Sequence, residues 1–162
     1  MNYLGFNNNE LSATVKNLNQ LLADYQVYYQ NLRNFHWNVA GENFFDLHAQ
    51  FEALYTDARI KIDEIAERIL TLRSRPMSTL SDYLQLSNVR EAKKETDDHK
   101  MVMIVLENHK VLINCMRNVI KAADQAGDEG TIDMVGGFLS ELEKKSWMLD
   151  AWASRKVELA SA

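Results

Sequence analysis

The chain alternates long amphipathic stretches with short breaks. From about Asn9 to Trp37, apolar residues recur at Leu11, Val15, Leu18, Leu22, Tyr25, Tyr29 and Leu32. Steps of four and three trace one face of a helix. The next step on that stripe is His36. Val39-Ala40-Gly41 breaks the pattern, with Gly41 expected as the residue just past the helix end. A second stripe starts near Asn43 and runs through Phe44, Leu47, Phe51, Leu54, Ala58, Ile62, Ile65, Ile69 and Leu72. It is expected to stop at Ser74-Arg75-Pro76, because proline disfavours a helical residue before it.

Ser78 to Leu84 predicts a short helix, with a Ser/Thr cap and Asp82 in its first turn. A third long helix is expected from about Arg90 to Ala126. It opens on a charged stretch and continues with Val102, Leu106, His109, Ile113, Met116 and Ile120 at helical spacing. Gly127-Asp128-Glu129-Gly130 reads as a turn. The fourth long helix then runs from about Thr131 to Leu159, with Val135, Leu139, Leu142, Ser146, Leu149 and Ala153 on its stripe. Gly136-Gly137 sits inside it at a cost of up to about 1 kcal/mol per glycine, which points to close helix packing there. Short connections make antiparallel neighbours, and the long connection between the second and third long helices makes a crossover. One long crossover in a four-helix bundle is the ferritin-like arrangement. The predicted fold is therefore all-α: a ferritin-like four-helix bundle with a short extra helix between helices two and three. Residues 1–8 form a tail and 9–159 a single domain.

Composition narrows this reading. With one proline and six glycines in 162 residues, the chain lacks the turn residues of a β-sandwich. The 46% apolar content is too high for a disordered chain. Cys115 is the lone cysteine, so no intrachain disulfide framework exists and a reducing compartment is the simplest setting. The N-terminus has no basic region or long apolar run of a signal peptide, and no window approaches the ~20 apolar residues of a membrane span. The net charge of −5 favours cations over nucleic acid as partners.

Chemistry concentrates on the second helix. His48 is followed by Glu52, and Asp63 by Glu67, each pair four residues apart and so on one face. Histidine and carboxylate without thiolate suit iron(II), manganese or zinc. Each element alone has a bland counterpart: a histidine on an apolar face is also how a hydrogen-bonded core histidine looks, and an acidic pair how a solvated face looks. Length sharpens the choice. His48 and Asp63 are separated by about 22 Å of helix rise, and metal bonds are about 2.0–2.2 Å long, so one straight helix cannot bring both pairs to one ion. Two copies of this helix packed antiparallel can. His48 then faces Glu67 and Glu52 faces Asp63 in one register, about a two-fold axis near Asp57-Ala58, with small Ala58 permitting close approach. Such an isologous seam makes two identical sites, each completed by His36. The paired Glu-x-x-His of a site inside one bundle is absent. On the third helix, His99 follows Asp97-Asp98 and reads as a surface residue, and His109 reads as a core histidine.

These residues carry a resemblance. Asn34-Phe35-His36-Trp37-Asn38, continuing through Asp46-Leu47-His48-Ala49-Gln50-Phe51-Glu52, resembles the signature of the Dps family of miniferritins (DNA-binding proteins from starved cells). It continues in Ile62-Asp63-Glu64-Ile65-Ala66-Glu67-Arg68-Ile69, in Pro76 to Tyr83, and near Lys145-Ser146-Trp147. The resemblance covers about Leu11 to Trp152.

The resemblance implies a hollow homo-dodecamer in the cytoplasm, with a ferroxidase centre between two-fold-related subunits. By matched position, His36, His48 and Glu52 come from one chain, and Asp63 and Glu67 from its partner. The family commonly has Asp where Glu52 stands, so occupancy of the second metal position is expected to differ. Trp37 matches a tryptophan beside the centre that intercepts oxidising equivalents. The implied chemistry is oxidation of Fe2+ to Fe3+, with H2O2 preferred over O2, followed by mineral storage in the cavity. Asp124, Glu129 and Asp133 match acidic positions that line the family's three-fold pores. The competing reading for them is capping and dipole complementation at a helix N-terminus. The family name also raises nucleoid DNA binding as the alternative function. Here the first basic residue is Lys16, and only Arg155 and Lys156 are basic near the other end. Twelve chains would carry a formal charge of about −60, so weak or no DNA binding is expected.

Overall fold

The computed structural model describes residues 3–7 and 9–160, with side chains as far as Ser154. Part of the expected tail (Met1, Asn2 and Asn8) and the side chains of Arg155 and Lys156 lie outside the described residues. Among the described residues there are five helices and no strand: α1 (Ser12–Asn38), α2 (Phe44–Thr71), α3 (Leu80–Leu86), α4 (Asp98–Ala126) and α5 (Glu129–Ala160). The all-α class and the short helix in the long connection agree with the sequence reading. None of these helices is long and apolar enough to cross a membrane.

The core is where the stripes predicted it. Leu18, Leu22, Leu32 and Phe35 of α1 meet Phe51, Leu54, Ile65 and Ile69 of α2. On α4 the buried line is centred on Val105, Leu112 and Val119, with Leu106, Ile113 and Ile120 at its partly buried edge. The expected stripe was thus one position off centre. Cys115 is buried, as a small apolar residue would be. α1 packs against α2, α3 and α4, and α4 packs against α5. Between α2 and α5 runs a polar tie. Lys61 Nζ, almost wholly buried, lies 2.7 Å from Asp57 and 2.6 Å from Glu141, and Asp57 also receives Lys145 at 2.6 Å.

Element ends differ from the sequence reading in instructive places. α1 starts at Ser12, three residues later than expected, and the chain at 9–11 is turned. α2 stops at Thr71, before Ser74, because Arg73 takes a left-handed φ of 61°. Gly41 has a φ of 99° but is not the residue that ends α1; Val39 does that in extended conformation. Gly127 does close α4, at φ 66°. Gly136 and Gly137 have nothing within 4 Å of an added Cβ, so packing inside the chain does not require them.

The largest correction concerns residues 90–97, expected as the first turns of the third long helix. They form no helix, and α4 begins only after Asp97, whose side chain accepts from the Lys100 amide. Polar groups on α1 hold this strap. Asp24 Oδ1 accepts from the Asn88 amide at 2.6 Å. Asn31 donates to the Arg90 carbonyl and accepts from the Ala92 amide, and Asn34 donates to the Ala92 carbonyl. Several of the strap's backbone polar groups are thus met by side chains instead of by a helix.

Candidate metal centre

His36 stands in the last turn of α1, and the short link 39–43 returns the chain so that His48, one turn into α2, lies against it. The imidazole rings stack with centroids 3.7 Å apart and planes 18° apart. Their hydrogen bonds are reciprocal: His36 Nδ1 lies 2.7 Å from the His48 carbonyl, and His48 Nδ1 lies 2.8 Å from the His36 carbonyl. A carbonyl only accepts, so both Nδ1 atoms carry hydrogen and both Nε2 atoms hold a lone pair in the neutral ring. The His36 carbonyl is available because the last four carbonyls of a helix lack intrahelical partners. Phe44 covers the other face of His48, and the edge of Tyr55 meets His36 at 5.3 Å. A ligand histidine is oriented in this way, one nitrogen fixed by a carbonyl and the other presented to the ion.

Glu52 follows His48 by one turn and is exposed, and the Tyr55 phenol is hydrogen-bonded to it. Burial and that carboxylate raise the phenol's pKa. Asp63 and Glu67 are exposed on the far half of α2. α2 is unbroken from Phe44 to Thr71, so the separation of about 22 Å from His48 to Asp63 holds. The chain brings His36 and His48 together and leaves Asp63 and Glu67 apart from them. Among the described residues no group of three or more His, Cys, Asp or Glu is placed to hold a metal ion within one chain.

One expectation at the seam changes. Ala58 has no exposed surface and faces the bundle core. Close approach of a second α2 therefore cannot occur at Ala58; Thr56 and Arg59, both exposed, stand on the outer side there. Trp37 is 61% exposed, with the Arg33 guanidinium 5.1 Å from its ring centre.

Asp124, Glu129 and Asp133 are all exposed around the α4–α5 turn. Capping of α5 falls instead to Asp128, which sequence reasoning passed over. Asp128 is buried, and its carboxylate accepts from the Thr131 amide and hydroxyl. Arg68 of α2 completes this cluster, pairing with Asp128 and donating to Thr131 Oγ1 at 2.9 Å. Its guanidinium lies 2.8 Å from where a Cβ on Gly130 would stand. A Gly-Asp-x-Gly turn following an alanine-rich helix end was the available signal. The remaining histidines divide. His109 is 1% exposed and hydrogen-bonded through both ring nitrogens, to Tyr28 and Ser146. His99, expected at the surface, is half-buried against Trp152.

Comparison with known proteins matches residues 15–156 to the ferritin-like domain family. The DNA protection during starvation protein of Porphyromonas gingivalis is 42% identical over 151 residues, 93% of this chain and 95% of that one. The crystal structure of the Dps protein from Vibrio cholerae O1, described as a member of a broad superfamily of ferritin-like diiron-carboxylate proteins, is 41% identical. It superposes with a TM-score of 0.91 over 94% of this chain and 96% of that one. Dps from Bacillus brevis is 38% identical, with a TM-score of 0.86 over 89% and 97% of the two chains. Fold, length and sequence agree across nearly the whole molecule, and the chain belongs to the ferritin-like family, in its Dps branch.

Proposed function

We propose that the protein is a cytoplasmic ferroxidase and iron store that works as a hollow dodecamer. Fe2+ binds at the two-fold seam, held by His36, His48 and Glu52 of one chain and by Asp63 and Glu67 of the next. Two iron(II) ions each give one electron to hydrogen peroxide, which takes up two protons and leaves as two waters. The iron(III) product hydrolyses and is stored in the cavity. Dioxygen is the slower oxidant. Asp124, Glu129 and Asp133 gather cations at a pore, where repeated negative charge focuses the field. Trp37, beside the centre, gives up an electron to stray oxidant.

The observation that carries this reading is the reciprocal pair of carbonyl bonds at His36 and His48. It leaves two imidazole lone pairs side by side at the end of a helix whose carboxylates need a second chain to reach them. The relatives' name speaks of DNA protection; here that protection is by removal of iron(II) and peroxide. The net charge of −5 opposes direct binding of phosphate. A salt-sensitive band shift with duplex DNA at neutral pH would favour the nucleoid alternative.

The test is anaerobic addition of Fe2+ followed by peroxide, read as iron(III) absorbance. Wild type is expected to oxidise iron rapidly and His36→Ala/His48→Ala not to; equal rates overturn the assignment. Mixing a His48→Ala chain with a Glu67→Ala chain tests sharing between chains. Of the two sites at the seam of a mixed pair, one loses both ligands and the other keeps all, so restored oxidation in the mixture is expected. Absence of any restoration rejects the interchain centre.

A further inference from the structure

The middle of the bundle holds a polar chain that the proposed iron chemistry does not use. The hydroxyl of Tyr28, on α1, lies 2.8 Å from His109 Nε2 on α4. His109 Nδ1 lies 2.8 Å from Ser146 Oγ on α5, and Ser146 Oγ donates to the Leu142 carbonyl at 2.7 Å. That carbonyl fixes every hydrogen in the chain. Ser146 gives its hydrogen to Leu142, so it accepts from His109 Nδ1–H. His109 Nε2 is then a lone pair and accepts the Tyr28 hydroxyl. Burial keeps the acceptor neutral, pushing His109 down to about 3 and Tyr28 well above its ordinary range.

A phenol gives up an electron readily only if its proton can leave at the same time. At Tyr28 the base waits at hydrogen-bond distance, and the proton need move only within that bond. The neighbouring Tyr25, edge-on at 5.9 Å, has a buried hydroxyl with no partner among the described residues and so lacks this outlet. Tyr29 and Tyr55 are only partly buried, and Trp37 is largely exposed. Tyr28 is 2% exposed. It also stands on the same side of α1 as Leu32 and His36, two steps of four residues from the centre, about 12 Å of helix rise.

We propose that Tyr28 and His109 form a redox-active pair that supplies the second electron when hydrogen peroxide meets a centre holding a single iron(II). This rests on the ferroxidase reading above. Hydrogen peroxide takes two electrons and two solvent protons and becomes two waters. One electron comes from iron(II), which becomes iron(III). The other comes from Tyr28, whose hydroxyl proton passes to His109 Nε2, leaving a neutral phenoxyl radical beside an imidazolium. A later iron(II) returns the electron, and the proton goes back to the phenol oxygen. Full two-electron reduction at a half-filled centre avoids release of hydroxyl radical.

The experiment gives metal-free assembled protein one Fe2+ per centre, then one equivalent of peroxide. Iron(III) is followed by absorbance, and freeze-quenched samples are examined by electron paramagnetic resonance. A tyrosyl signal is expected with a hydrogen-bond proton coupling that vanishes in D2O. The signal is lost in Tyr28→Phe. In His109→Gln it is shorter-lived and without the exchangeable coupling. A signal that survives Tyr28→Phe, or a wild-type signal without exchangeable coupling, overturns the pair; the second readout needs no variant to fold. Iron(III) formed with no tyrosyl signal overturns the pair and leaves the ferroxidase reading standing. No iron(III) in wild type overturns both.

Discussion

The His36–His48 end of the bundle and the His109 layer in its middle use the same residue on the same kind of apolar stripe, with opposite outcomes. At the first, each ring spends one nitrogen on a backbone carbonyl and keeps the other. At the second, both nitrogens are consumed, one by Tyr28 and one by Ser146. On the proposed reading, a half-satisfied histidine is free to serve as a ligand, whereas a wholly satisfied one is a strut. The difference is made by what faces the ring. α1's unpaired terminal carbonyls and the start of α2 face His36 and His48, whereas side-chain hydroxyls from α1 and α5 face His109.

The contrast makes separable predictions, the largest at the open pair. Replacing both His36 and His48 by Ala removes two of the proposed ligands, so the loss of peroxide-driven iron oxidation should exceed the roughly 10–100-fold that follows loss of a mere orienting partner. Stopped-flow absorbance on assembled protein reads it, and a loss below tenfold would show the rings to be struts after all. At the closed site the cost should appear in stability. Tyr28→Phe strands His109 Nε2, which is fully buried, and an unmade buried bond costs about 1–3 kcal/mol. Thermal or denaturant unfolding measures this, and an unchanged midpoint would mean that the Tyr28–His109 bond contributes nothing net.

Acid should reveal the closed histidine next. Burial holds His109 down to about 3 in the fold, whereas unfolded histidine titrates near 6.5. Between those values the unfolded chain binds the proton and the native one does not, so stability falls as pH falls. The slope from this residue is at most about 1.4 kcal/mol per pH unit. Carboxylates also contribute over that range, so the comparison is wild type against His109→Gln at each pH. A narrowing gap as pH drops from 6.5 is expected. A constant gap would mean that His109 is protonated in the fold.

How far the residues alone reach is clear from particular places. The stripe of α1 led directly to His36, and the spacing in α2 set the distance between the candidate ligand pairs, because both follow from helix geometry alone. The strap at 90–97 was not legible. Glu91-Ala92-Lys93-Lys94-Glu95 is good helix-forming sequence, and what unwinds it is the tertiary demand of Asp24, Asn31 and Asn34 some 60 residues away. Ala58 misled for a related reason: small size reads as close approach, but only burial says against what. Asp128 was hidden among more acidic-looking neighbours because its partner, Arg68, is distant in sequence.

His99 is the case between the two kinds, and it should give the smallest effect. Its Nε2 lies 3.3 Å from the Ala153 carbonyl, and its ring stacks loosely on Trp152 at 6.2 Å. One nitrogen is therefore spent, as at His36, but no second histidine stacks on the ring. The bond is also longer than the usual 2.7–3.2 Å and so weak. Half exposure lets water replace what is lost. His99→Gln should shift stability by about 0.5 kcal/mol or less and leave iron oxidation unchanged. If it instead slowed oxidation, half satisfaction alone would suffice to make a ligand, and the stacked partner at His36–His48 would lose its place in the explanation. If it destabilised as strongly as Tyr28→Phe, burial of the ring against Trp152, and not the count of satisfied nitrogens, would be what separates strut from ligand.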